Sequence, residues 1–226
     1  MNRHPRAFRT IASGLVLIVA SLFGVELGAA GQVKVETDPA RFDKKTGAVG
    51  IIIPDSQTAF PGTNCGFPER GPLGRGPSVT IPFGANRVII TQAVPDSSSL
   101  CIFDGGSMII GTINTLPNFM IANTIVGNGE DDFLLVFDRE VFAVGFTLLT
   151  NKAAHEIVTF MGLGGNVIDT INIDRFTPRN DRVFVGFMSR IPIKSILIDT
   201  AEGAVQNEGI EAIKIAETMP EDLDSP

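Results

Sequence analysis

Side chains suited to nucleophilic catalysis are scarce in this 226-residue chain. It has two histidines, His4 and His155, and only His155 lies outside the N-terminal segment discussed below. A catalytic triad needs a histidine oriented by an acid, and the sequence has no Gly-x-Ser-x-Gly elbow. Zinc prefers His and Cys ligands, which are equally rare here. We therefore interpret His155, which lies beside Glu156, as a solvated turn residue.

Carboxylates are plentiful, and two of them facing one groove could hydrolyse a glycosidic bond. The acids inside predicted strands are Glu156, Asp169 and Glu211. They alternate with apolar residues, which is the pattern expected of a solvated outer face. A carboxylate-dependent polysaccharide-active enzyme is therefore the alternative hypothesis, and it requires these acids to share a groove.

Two oxygen-rich corners are candidate calcium sites, because Ca²⁺ prefers carboxylate, amide and carbonyl oxygens. The candidate ligands are Asn128, Glu130, Asp131 and Asp132 in the first corner and Asp199, Asn207 and Glu208 in the second. Neither corner has the spacing of a helix-loop-helix calcium site. Turns also collect these residue types for backbone reasons, so both interpretations stay open.

The aromatic residues bear on carbohydrate binding. The chain has 16 Phe and neither Trp nor Tyr, the residues with which sugar-binding surfaces commonly stack. Phe60, Phe67 and Phe119 lie in predicted loops and are the candidates for a ligand-binding platform. Burial is the commoner position of Phe, so the composition lowers the expectation of sugar binding without removing it.

Cys65 and Cys101 are the only cysteines. In an exported protein, two cysteines most simply form one disulfide, which would stabilise the fold by about 4 kcal/mol on the chain-entropy model. A pair of buried free thiols is the alternative if the compartment is not oxidising.

Residues 1–30 have the three parts of a secretory signal peptide. Arg3, Arg6 and Arg9 precede an apolar stretch at 11–25, and Gly28-Ala29-Ala30 supplies small residues for cleavage. The apolar stretch is short of the ~20 residues of a spanning helix, which disfavours an uncleaved anchor. No later segment is long and apolar enough to cross a membrane. We expect a secreted or periplasmic bacterial protein.

Charge and composition narrow the function classes further. Hydrophobic residues make up 44% of the chain and charged residues 19%, so it can build a core. The formal net charge of -7 argues against nucleic acid, which binds to basic surfaces.

Short apolar runs rich in Val, Ile, Phe and Thr, bounded by Gly, Pro, Asn or Asp, predict strands throughout. The predicted strands are 48–53, 78–83, 87–91, 100–103, 108–113, 120–126, 132–137, 141–149, 156–161, 167–173, 182–188, 193–199 and 210–215. No segment shows a clear helical period. We therefore predict an all-β fold, a two-sheet antiparallel sandwich or jelly roll, with a closed barrel as second choice. This single domain spans 31–217, with an irregular Gly/Pro-rich loop at 61–77 and an acidic disordered tail at 218–226.

Residues 131–217 carry a succession of short motifs. These are Phe137-Asp138, a Val-x-Ala-Val-Gly-Phe strand at 141–146, Gly165-Asn166, a Phe-x-Gly-Phe strand at 184–187, a Pro-Ile strand at 192–196 and Gly-Ile-Glu at 209–211. This succession resembles the exported bacterial β-sandwich domains of exosortase-sorted (PEP-CTERM-type) proteins, a mostly uncharacterised family. Glu211 stands where that pattern usually has Asp, and no sorting tag follows. The resemblance implies a sandwich fold and export, and the overall shape is analogous to galactose-binding modules.

Together these features predict an exported, non-catalytic extracellular binding or matrix module. Its candidate partners are polysaccharide or a cell-envelope component, and its candidate ion is Ca²⁺. The enzyme hypothesis above and a purely structural envelope protein are the alternatives.

Overall fold

The computed structural model describes residues 32–62, 74–93, 99–106, 122–128, 132–149, 156–173, 182–200, 209–220 and 223. These residues form strands β1 Val33–Glu36, β2 Val49–Gly50, β3 Gly74–Gly76, β4 Ser78–Phe83, β5 Asn86–Gln92, β6 Ser99–Phe103, β7 Thr124–Asn128, β8 Phe133–Leu149, β9 Glu156–Met161, β10 Val167–Asn172, β11 Arg182–Thr200 and β12 Gly209–Ala216. The helices are α1 Pro39–Thr46 and α2 Ser56–Ala59. No helix in this part of the chain is long and apolar enough to span a membrane.

All strand pairs are antiparallel, and the strands form the two layers of a β-sandwich. Layer 1 has the order β4-β5-β8-β11-β9-β10, and layer 2 has the order β1-β11-β8-β12-β7-β6-β3, with β2 beside β12. The long strands β8 and β11 belong to both layers. The predicted all-β sandwich is confirmed, although its sheets are hydrogen-bonded into one.

The two long strands change layer where their pairing is irregular. Residues 133–136 of β8 pair with the end of β11 in layer 1, and residues 143–149 pair with its beginning in layer 2. Register shifts between Met188 and Ser195 mark the bend. Four strands predicted separately, at 132–137, 141–149, 182–188 and 193–199, are therefore two continuous ones. The physical reason is that a bulge bends a strand without ending its pairing.

One cluster of buried side chains fills the space between the layers. It takes alternate residues from most of the strands, such as Phe133, Leu135 and Phe137 from β8 and Ile196 and Ile198 from β11. Because side chains alternate across a strand, the intervening residues of both layers point outward. Each layer thus has an outer face of its own.

Helix α1 covers part of the outer face of layer 2. Its Phe42 ring lies over Gly145 and Gly186, which are directly paired on β8 and β11. A methyl group on Gly186 would overlap with the Phe42 ring, and one on Gly145 would lie 2.9 Å from Phe42 Cε1. Phe42 also contacts Phe184 edge-on, with ring centroids 5.5 Å apart. The two glycines thus form the hollow in which the helix docks.

Helix α1, which is eight residues long, was not among the predicted elements. The Asp38 side chain accepts hydrogen bonds from the backbone amides of Ala40 and Arg41, and Pro39 occupies the first turn. Gly47 ends the helix with a φ of 60°. These are standard signals for the start and the end of a helix. The helix has only eight residues and buries one side chain per turn, so its sequence shows no recognisable helical period. Of the strand predicted at 48–53, only Val49–Gly50 (β2) is a strand in the structure.

Two short described parts of the chain lie within segments that were predicted to be irregular. The loop predicted at 61–77 contains β3, which forms because its backbone pairs with β6. The tail predicted to be disordered from 218 includes Leu223, which is buried in the small cluster under α1. The Leu223 carbonyl accepts a 2.8 Å hydrogen bond from Arg190 Nε. An apolar side chain and a paired carbonyl therefore hold this part of the tail on layer 2.

Replacing Gly186 by Ala should destabilise the fold by about 1–3 kcal/mol, because the new methyl group displaces the Phe42 ring. Gly50→Ala is the matched control, since a methyl group there has no neighbour within 4 Å. Urea unfolding followed by far-UV circular dichroism measures both, because the chain has no Trp or Tyr for fluorescence. Equal midpoints for the two variants would contradict the docking of Phe42 on the glycine pair.

Candidate functional site

The two outer faces of the sandwich differ in how much solvent reaches them. On layer 2, Ala143, Met188 and Ala216 are buried under α1, while Phe184 is half-buried. Outward residues beyond the helix, such as Val126 and Leu149, are also buried. On layer 1, every outward side chain described below is exposed or half-buried. We call this outer side of layer 1 the open face.

Two rows of side chains run across the strands in the middle of the open face. The first row, from β4 to β10, is Ser78, Thr91, Leu134, Leu197, Thr159 and Thr170. The second row is Thr80, Ile89, Val136, Ser195, Met161 and Val167. Together they present aliphatic groups and small hydroxyls, and none of these residues is charged.

A carboxyl pair borders the first row at one end of the strands. Asp132 precedes β8 and Asp199 lies near the end of β11, next to the paired residues Phe133 and Ile198. Burial raises the pKa of the Asp199 carboxyl, and the charge of Asp132 and a hydrogen bond with it raise the pKa further. Asp199 therefore keeps its proton to a higher pH than an isolated aspartate does.

An ion pair borders the second row at the opposite end, close to the bend. Arg87 on β5 contacts the carboxylate of Asp138 on β8. The Lys194 ammonium donates a 2.8 Å hydrogen bond to the Asp138 carbonyl. Both charged groups of the pair are largely exposed, so the ion pair adds little to stability, but it limits the uncharged area of the open face.

The structure brings together parts of the two predicted calcium corners. Asp132 from the first corner and Asp199 from the second are the hydrogen-bonded pair. Asn128 ends β7, and its side chain lies outside the described residues, as do Glu130, Asp131, Asn207 and Glu208. Within the described part, no group of three or more His, Cys, Asp or Glu could hold a metal ion. Calcium binding therefore stays a prediction.

The acids proposed for glycoside hydrolysis do not converge. Glu156 is 1% exposed and points inward on β9, between the layers. Glu211 faces outward on layer 2, where Arg182 Nε donates to it at 2.9 Å and the Thr124 hydroxyl at 3.0 Å. Asp169 accepts a 3.0 Å hydrogen bond from the Val33 amide.

The expectation that these three acids lie on a solvated face was wrong for Glu156 and Glu211, because a buried carboxylate with polar neighbours fits the same alternation. The Asp132–Asp199 pair does not have the geometry of a glycosidase carboxylate pair either. Hydrogen-bonded carboxyl groups are closer than the roughly 5–9.5 Å separation that glycosidases use. His155 lies outside the described residues.

Of the three phenylalanines predicted to form a ligand-binding platform, Phe60 is buried. Phe60 is 8% exposed and packs in the core against Gly76, so its ring is not available to a ligand. The physical reason is that α2 turns Phe60 inward as it ends. Phe67 and Phe119 lie outside the described residues.

The predicted disulfide involves Cys101, which is buried on β6, and no described cysteine is free. Because Cys65 is outside the described part, the disulfide stays a prediction.

No family model matches the sequence, and a search of curated proteins finds no significant match. Among solved structures, the chain is similar to mutants of CBM29-2, a family 29 carbohydrate-binding module. One, complexed with mannohexaose, is 10% identical, with 79% of this chain and 99% of that chain covered and a TM-score of 0.29. Another, complexed with cellulohexaose, is 11% identical, with 79% and 98% covered and a TM-score of 0.30.

A weaker similarity is to the enzymatically active domain of tailspike protein 4 of bacteriophage CBA120. It is 14% identical, with 65% of this chain and 18% of that chain covered and a TM-score of 0.22. The assignment of the sandwich rests on the strand pairing of this chain and not on these likenesses.

Asp199→Asn should raise the unfolding midpoint at neutral pH. Because the pKa of Asp199 is raised in the folded state, the folded protein binds more protons than the unfolded chain, so stability falls as the pH rises above 3.8, the ordinary value. The advantage of the variant should therefore disappear as the pH falls toward 3.8. Thermal unfolding followed by circular dichroism across this range measures it.

Asp132→Asn is the matched control for this prediction. Either substitution removes the same repulsion, so the double variant should gain less than the sum of the two single variants. If Asp199→Asn is less stable than wild type at neutral pH in EDTA, the raised pKa of Asp199 is contradicted. If calcium raises the wild-type midpoint and not that of Asp199→Asn, the pair is part of the predicted calcium site.

Proposed function

We propose that this protein is an exported, non-catalytic binding module that holds a polysaccharide on the open face. The observation that carries the proposal is the difference between the two outer faces. The centre of the outer face of layer 2 is covered by α1, whereas the open face leaves a band of aliphatic and hydroxyl side chains in contact with solvent.

The chemistry of this band suits a sugar polymer. A pyranose ring has apolar C–H faces and hydroxyl edges, so it needs apolar contact and hydrogen-bonding groups side by side. Leu134 and Leu197 supply the first in the centre of the open face, and the hydroxyls of Thr91 and Thr159 flank them. Hydroxyl groups both donate and accept hydrogen bonds, as sugar hydroxyls require.

The size of the band favours a polymer over a single sugar. From β4 to β10 it crosses five strand gaps, which is about 24 Å at the usual spacing. Aliphatic side chains offer weaker contacts than the Trp and Tyr rings of many sugar-binding surfaces. Repeated weak contacts along an extended ligand compensate for this, because each added contact multiplies the binding constant.

The arrangement of acids supports a non-catalytic role. Glu156, Asp169 and Glu211 face three different surroundings, and each of Asp169 and Glu211 is engaged by neighbours of its own chain. Export is proposed from residues 1–30 and from the resemblance to exported sandwich domains.

Replacing Leu134 and Leu197 together by Ser should weaken polysaccharide binding at least about tenfold, because it removes the central apolar contact. Ile52→Ser is the control, since Ile52 is 85% exposed and lies outside the open face. Affinity electrophoresis in gels containing soluble polysaccharides measures the binding. Unchanged retardation of the double variant, or no retardation of the wild type in any polysaccharide, would show the proposal to be wrong.

Expression of the full sequence in a bacterial host with export machinery should yield a chain that begins near residue 31. Intact mass spectrometry of the periplasmic fraction measures the cleavage. A second sample of the same fraction is treated with an alkylating reagent without prior reduction. If Cys65 and Cys101 form a disulfide, its mass should not change. A full-length chain retained in the cytoplasm would contradict the export proposal, and two alkylated cysteines would contradict the disulfide.

A further inference from the structure

We infer that the ligand of the open face is a neutral polysaccharide whose chain lies across the strands, along the two central rows. This inference rests on the proposed function and adds the chemical class and the direction of the ligand. Two features of the open face carry it, the distribution of charge and the shape of the uncharged band.

The described charged side chains of the open face lie at its two borders. Asp132 and Asp199 form the border at one end of the strands. Arg87, Asp138 and Lys194 form the border at the bend, where each is engaged by another of the three. The two rows between these borders contain hydroxyl, thioether and aliphatic groups only.

This distribution disfavours charged polymers. An anionic polysaccharide needs cations along its length to offset the loss of water around its carboxylates or sulfates, and the central rows provide none. The chain also carries a net charge of -7, which repels anionic polymers over longer distances. A cationic polymer would meet carboxyl groups at the borders only, and the Asp138 carboxylate is already paired with Arg87, so most charges of the polymer would have no partner.

The shape of the band sets the direction. Along β8 and β11, between the charged borders, the uncharged band is two rows deep, and neighbouring rows on one face are about 7 Å apart. Across the strands, the same band is about 24 Å long. An extended polymer therefore contacts the most uncharged surface when it crosses the strands, with a carboxyl pair on one side and an ion pair on the other.

The charge test uses a lysine placed in the first central row. Thr159→Lys should weaken the binding of a neutral glucan or mannan at least about tenfold and create binding of an anionic polymer such as polygalacturonate. Gln57→Lys adds the same charge on α2, outside the open face, and should bind as wild type does. Affinity electrophoresis with neutral, anionic and cationic polysaccharides, chitosan being the cationic one, measures all three proteins, and circular dichroism verifies their folding.

The outcomes separate this inference from the proposed function. Wild-type binding of polygalacturonate or chitosan in preference to the neutral polymers, lost when Leu134 and Leu197 are replaced, would overturn the neutral class and leave the polysaccharide-binding proposal in place. Absence of binding to every polymer would overturn both. If the wild type prefers neutral polymers, and Thr159→Lys loses this binding while Gln57→Lys keeps it, the result supports both the neutral class and the proposed function.

The direction test compares the two ends of the band. Thr80 on β4 and Thr170 on β10 lie at opposite edges of layer 1, and both are exposed. If the polymer crosses the strands, Thr80→Lys and Thr170→Lys should each weaken binding of a long neutral polymer severalfold. A polymer lying along the strands contacts one edge at most, so a loss confined to one variant, or to neither, would overturn the crosswise direction.

Discussion

The pairing of β8 with β11 is the interaction on which the rest of the structure depends. Both strands pass from one layer to the other, and they remain hydrogen-bonded to each other on both sides of the bend. Every other described strand is connected to one of these two, either directly or through one to three intervening strands. Because the layers share two continuous strands, their separation and orientation are set by the backbone as well as by the packing of the core.

The same bend creates the difference between the two outer faces. In layer 2, the paired glycines of β8 and β11 leave a hollow that Phe42 fills, and Lys214 holds the helix from the side through Asp43 at 2.5 Å. In layer 1, the outward residues of the same two strands are Leu134, Val136, Ser195 and Leu197, whose side chains leave no such hollow. Helix docking therefore takes place on one face, and the other stays in contact with solvent.

Some polar residues within the strands bind other strands, and others lie on the exposed side of the sheet. The alternation of apolar and polar residues in the sequence does not separate these two groups. Glu211 is a buried acceptor for Arg182 and Thr124, and Asp169 binds the edge amide of β1. Both contribute to holding strands together. The outward threonines and serines of layer 1 lie on the exposed side of the strands, and the Thr159 and Thr170 hydroxyls are 3.5 Å apart.

Strand alternation in the sequence predicted most strands within a few residues, because alternation reports directly which side chains a sheet buries. It also placed Asp132 and Asp199 at the ends of predicted strands. The sequence did not show that these two acids meet, since they are distant in the chain and only the pairing of Phe133 with Ile198 brings them together.

The helix α1 was missed although its caps are visible in the sequence, because a single buried Phe gives no period. What the amino-acid sequence determined by itself is the all-β class and the inward and outward sides of each strand. Tertiary structure alone decided which outward side is covered and which is open. The reason is that covering depends on contacts such as Phe42 with Gly145 and Gly186, which join segments far apart in the chain and leave no local pattern.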